Sequence, residues 1–241
     1  MKRLSEEIIK TAGNSKRLIV IGELMPKFIR RHYYNYYLIQ SERKAIKGYR
    51  KLYPKLEENI AALQKGMDTP EFKKNRFQLF FNNRLFFLLA IRDILTTHEQ
   101  LLLNRNKNAE NILARTLALH LYEFIQDFQK LNGKDFRGEL ATIPHPENIL
   151  KQFDQIKQYF HKIKPDYESL LKDIRHHTIA HKDKDALKLQ QKISDVDQLK
   201  IIEAETLAFL LFSIYDKFLQ DTGEHFVKFP KEIASLPYPK N

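Results

Sequence analysis

The stretch FFNNRLFFLLAIRDIL, residues 80–95, decides the fold. Phe80, Arg84, Phe87, Ile91 and Leu95 recur three and four apart, so on a helix four apolar side chains and one arginine share a face. Asn82, Asn83, Arg92 and Asp93 are left for the more polar side. The same period predicts one long helix from about Pro70 to Leu103, with Thr69 as its cap and Pro70 at its first position. A second helix follows from Ala109 to Leu131, with Asn108 at its start and Gly133 at its end. The two should form an antiparallel hairpin.

Outward from that hairpin the pattern continues. Two glycines and two prolines between Asn132 and Glu147 read as a loop. Helix resumes over Glu147 to Ile163, and Pro165-Asp166 restarts it with Tyr167, Leu170, Leu171 and Ile174 on one stripe. Asp195 or Asp197 then caps a last long helix, whose broad face of Ile201, Ile202, Ala204, Ala208, Leu211, Phe212, Tyr215 and Leu219 runs until Gly223. The expected fold class is therefore all-α, an up-and-down bundle of at least four long core helices. A basic helical segment, residues 1–65, packs on a bundle of residues 66–222, and residues 223–241 form an irregular proline-containing tail.

Composition supports this and excludes other classes. With 241 residues, 43% of them apolar and 12% aromatic, the chain has the material for a packed core. Seven glycines leave little for hairpin turns or phosphate loops, and the absence of cysteine excludes disulfides, thiolate metal sites and cysteine nucleophiles. The longest apolar run, Leu85 to Ile91, is far below the roughly 20 residues of a membrane span. Glu6 and Glu7 fall where an export signal would be apolar, so the expectation is a cytoplasmic protein with no membrane partner.

Charge is unevenly spread. Residues 1–53 hold 13 Lys or Arg against 4 acids, which places +9 of the net +11 in the first quarter of the chain. A run from Lys27 through Arg30, Arg31 and His32 interleaves with Tyr33, Tyr34, Tyr36 and Tyr37, and continues through Arg43, Lys44, Lys47, Arg50 and Lys51 to an expected break near Pro54. These cations are candidates to contact RNA phosphates, with the rings available for base stacking. The plainer alternative is a solvated basic face on a helix whose rings belong to the core. A membrane-surface role fits less well, because tryptophan is absent and the core claims the apolar face.

The densest chemistry lies at Ile174-Arg-His-His-Thr-Ile-Ala-His-Lys-Asp183. His177 and His181 stand four apart, a spacing that grips a metal from one side, but no third ligand matches and no metal or other cofactor is expected. Arg175 and His181 offer a different chemistry. A guanidinium binds phosphate oxygens bidentately and an imidazole exchanges protons near neutral pH, which together suit phosphodiester cleavage. Two other Arg-to-His spacings, Arg92 to His98 and Arg115 to His120, lie within long apolar helices. Arg175 and His181 sit where β-branched Thr178 and Ile179 weaken the helix and a polar stretch follows. On an unbroken helix they stand about 120° and about 9 Å apart, so convergence needs a bend after His177 or a second chain. The alternative is a helix end whose basic residues favour the negative pole of its dipole.

Arg175-His176 followed by Ala180-His181-Lys182-Asp183 resembles the motif of the HEPN superfamily, in particular its abortive-infection proteins of phage-defence and toxin systems. The resemblance implies a helical bundle, a homodimer in which two motifs face each other, an antitoxin protein as a possible partner, and metal-independent endoribonuclease activity. Carried onto this chain, Arg175 holds the scissile phosphate, and His181 acts as base on the 2′-OH or acid on the leaving 5′-oxygen. His176 supplies a supporting polar contact, and Lys182 adds a cation for RNA. Two alternatives stay open: a helical module that binds RNA or nucleotides without cutting them, and a helical protein–protein adaptor.

Overall fold

The computed structural model describes residues 27–70, 72, 76–104, 106–174 and 198–229. Among these are six helices and no strand: α1 (Lys27–Met67), α2 (Gln78–Leu103), α3 (Lys107–Leu131), α4 (Lys134–Leu140), α5 (Glu147–Ile174) and α6 (Gln198–Lys228). The expected all-α class is what the chain adopts. None of the described helices is long and apolar enough to cross a membrane. The chain divides into two compact units, Met1–Leu52 and Tyr53–Asn241, with the boundary inside α1.

In the second unit the four long helices α2, α3, α5 and α6 run up, down, up and down. Their order follows from which rings meet. Phe86 of α2 stacks on Phe124 of α3, and Phe128 of α3 lies 4.9 Å from Phe160 of α5. Phe153 of α5 meets Phe218 of α6, and Phe87 and Phe80 of α2 meet Phe212 and Phe226 of α6. Across the diagonal, Phe124 and Phe212 approach to 4.6 Å edge to face, a geometry that favours the ring quadrupoles beyond simple burial. Phe80, Phe87 and Leu95 are buried as their spacing predicts, whereas Asn83, expected on the polar side, is buried with its amide donating to the Leu131 carbonyl.

Several expected boundaries move, each for a physical reason. The Thr69-Pro70 signature makes a turn rather than a helix start: Thr69 Oγ1 donates to the Gly66 carbonyl at 2.8 Å and accepts from the Phe72 N–H. Helix α2 begins instead at Gln78, where Glu139 of α4 accepts from the Leu79 and Phe80 N–H groups at 3.0 and 2.7 Å. A carboxylate sixty positions away does what an N-terminal capping side chain normally does. Burial pushes the Glu139 carboxyl up, against those two hydrogen bonds and the nearby Arg76. The expected loop after Asn132 contains α4, held by buried Phe136 and Leu140.

At α3 the cap is Asn106, not Asn108; its side chain accepts from the Asn108 and Ala109 N–H groups. Its C-terminal end is tied by Asn132, which is buried, accepts from the Tyr215 hydroxyl at 2.7 Å and offers its carbonyl to Lys157 Nζ at 2.9 Å. Three expected breaks are absent. Helix α1 passes through Pro54 and α5 through Pro165, both prolines being exposed. Helix α6 passes through Gly223 to Lys228, and no described glycine has positive φ. Beyond each break lie side chains the core claims: Leu56 and Ile60 after Pro54, Tyr167 and Leu171 after Pro165. Phe226, packed between Phe77 and Phe80, lies beyond Gly223.

Candidate nucleic-acid interface

Helix α1 between residues 40 and 52 carries a sharp division of character. Arg43, Lys44, Lys47, Arg50 and Lys51 are all exposed, while Ala45, Ile46, Tyr49 and Leu52 are half-buried. At 100° per residue, with Arg43 as zero, Arg50 stands at about −20°, Lys47 at about 40°, Lys51 at about 80° and Lys44 at about 100°. The apolar group is centred on the opposite side. All five cations therefore share about a third of the helix circumference and about 12 Å of its length. Glu42, the acid of this stretch, lies about 140° from the centre of that face.

The cations do gather on one surface, as a phosphate-binding track requires. Among the described residues, Tyr49 is half-buried and stands about 160° from Lys47, away from the charges; the side chains of Tyr33, Tyr34, Tyr36 and Tyr37 lie outside the described residues. Lys27, Arg30 and Arg31 belong to the first turns of α1, but their side chains lie outside the described residues.

Arg175, His176, His181 and Lys182 likewise lie outside the described residues, as do His177 and Asp183. What is described is the helix that delivers them. Arg175 follows immediately on Ile174, the last described residue of α5, and that helix is fixed by Tyr167 and Leu171, both fully buried. Polar bonds to α3 flank Tyr167: Gln126 Nε2 donates to Glu168 Oε1 at 2.7 Å and Lys164 Nζ to Gln129 Oε1 at 2.6 Å.

The same end of the bundle holds a polar cluster that sequence reasoning did not single out. His98 of α2 pairs with Glu205 of α6, their side chains only 13% and 3% exposed. The Tyr167 hydroxyl is buried beside them and has no hydrogen-bond partner among the described residues. Burial, and after it the negative charge of Glu205, pushes that hydroxyl well above the usual phenol range. His98 lies in the apolar pattern of α2; its partner lies 107 positions later, and only the α2–α6 packing reveals the pair. Among the described residues no group of three or more His, Asp or Glu side chains is arranged to hold a metal ion.

A second carboxylate of α6, Asp216, is half-buried. Asp216 is pushed up to about 6 by burial, against the attraction of Arg84 and Lys55 and a hydrogen bond from Gln220. Gln220 Nε2 donates to its Oδ2 at 2.6 Å.

No protein-family model matches the chain, and no curated protein or solved structure matches it significantly.

Proposed function

We propose that this chain is an RNA-binding helical protein of HEPN type that cuts RNA without a metal, Arg175 and His181 doing the chemistry. The observation that carries the RNA reading is the segregated basic face of α1, five exposed cations with the acid and the apolar side chains turned elsewhere. Such a face draws a polyanion and releases its condensed counterions. The cleavage reading rests on the residues themselves. Arg175 would clamp the phosphate and stabilise charge on it in the transition state, and His181 would take the 2′-OH proton or protonate the leaving oxygen. His176 would support that contact and Lys182 would extend the cationic surface.

On this reading the chain works as a homodimer in which two motifs face one bound strand, and acts as a toxin or phage-defence effector held in check by an antitoxin protein. Attack by the 2′-OH leaves a 2′,3′-cyclic phosphate and a 5′-hydroxyl, and DNA is spared.

The test is cleavage of mixed RNA in EDTA by the full chain and by Arg175→Ala and His181→Ala. Each substitution should lower the rate by about 100-fold or more. Equal cleavage by both variants would remove the chemistry from these residues. Salt-dependent binding with no cyclic-phosphate ends would instead establish the non-catalytic RNA-binding module.

A further inference from the structure

The five cations of α1 are not a single line. Arg43 and Arg50 form one edge of the face and Lys44 and Lys51 the other, with Lys47 between them. Within each edge the two residues are seven apart, about 10.5 Å along the axis, and the edges are separated by about 100° around the helix. On a cylinder of about 10–12 Å diameter that places the two rows roughly 9 Å apart across a convex surface. All five side chains are exposed.

We propose that α1 recognises base-paired RNA through its phosphates, one row of cations facing each strand along a groove. The inference rests on the RNA reading above and adds the class of substrate to it. A single strand presents one file of phosphates, which one row of cations already satisfies. Two strands bordering a groove present two files, and a convex helix with charge on both shoulders meets both.

Among the described residues of this face, the turn of Tyr49 away from the charges points the same way. Single strands are held by stacking bases on rings beside the charges, whereas duplex RNA is read by shape and by its phosphates and 2′-hydroxyls, with no ring required. An anionic membrane would also attract five cations, but a helix lying in a bilayer surface needs its apolar face for the lipid. Here Ala45, Ile46, Tyr49 and Leu52 are already half-buried.

The experiment titrates the full chain, carrying His181→Ala and kept in EDTA, against a fluorescent RNA duplex of about 20 base pairs. Its separated strands, and vesicles of phosphatidylserine and phosphatidylcholine, are the comparison probes. The duplex should bind at least tenfold more tightly than either strand. Arg43→Ala/Arg50→Ala and Lys44→Ala/Lys51→Ala should each weaken duplex binding at least fivefold. Each pair should also reduce the salt slope by about 2, because each removes two phosphate contacts. Equal affinity for single strands, an effect confined to one pair, or vesicle binding without duplex preference would each overturn the proposal. Duplex preference with no cleavage by the unmodified chain would sink the catalytic reading and leave this one standing; no RNA binding at all would sink both.

Discussion

Two acids of α6, half-buried Asp216 and buried Glu205, work in opposite senses. Asp216 is pushed up to about 6 from its ordinary 3.8, chiefly by burial. Below pH about 4 it is protonated folded and unfolded; between about 4 and 6 only the folded chain keeps the proton, so stability falls as pH rises through that window. Above about 6 the loss is complete. Asp216→Asn should therefore stabilise the protein at pH 7.5 by about 1 to 2 kcal/mol, less than the full shift implies because the side chain is part-exposed. The gain should vanish below pH 4, as parallel urea melts at several pH values would reveal.

Glu205 has an immediate partner in His98. Removing either member leaves the other buried without its counterpart, so Glu205→Leu or His98→Leu alone should cost about 3 kcal/mol. The double leucine variant should cost clearly less than the sum of the two, because it buries no orphan. A double-mutant cycle in denaturant measures this; strictly additive losses would mean the pair contributes no coupling.

At the level of the helix, what the sequence disclosed and what it withheld divide along one line. Stripes formed by neighbours on one helix were legible: Phe80, Phe87 and Leu95 on α2, or Ala208, Leu211, Phe212 and Tyr215 on α6, are buried as their spacing implies. Features settled by another helix were not. The start of α2 is fixed by Glu139, and nothing local to Gln78 announces it. Pro165 reads locally as an interruption worth about 3 kcal/mol, yet Tyr167 and Leu171 beyond it are fully buried and hold the helix straight through. The basic run is legible as charge, but which of its side chains face outward, with Tyr49 turned from them, takes the structure to show. The His98–Glu205 pair was illegible because it depends on the register of α2 against α6.

Gly223 makes the same point in energy. It lies within α6 without positive φ, and a β-carbon there would meet Arg84 Nη1 at 3.4 Å, an ordinary contact. Gly223→Ala should then raise stability by about 0.5 to 1 kcal/mol through the lower helix cost of alanine. A lower melting temperature would mean the Arg84 side chain cannot give way.

For the molecule as a whole, the charge asymmetry and the packing belong to different parts of the chain. Residues 1–53 carry +9, while the remaining 188 are nearly balanced, 28 cations to 26 acids. The bundle's core carries a chain of ring contacts from Phe87 through Phe212, Phe124 and Phe128 to Phe160. Exposed pairs such as Lys130 with Asp127 contribute little, and salt screens them further.

The contact of Phe77 and Phe80 with Phe226 brings the first turn of α2 and the last turn of α6 side by side. In space the four long helices close on themselves, so their circuit has no preferred point of origin. A rearranged gene that bridges those neighbouring turns with a short linker and opens the chain at an exposed tip, such as the stretch around Asn106, would describe the same set of packed faces in a different order.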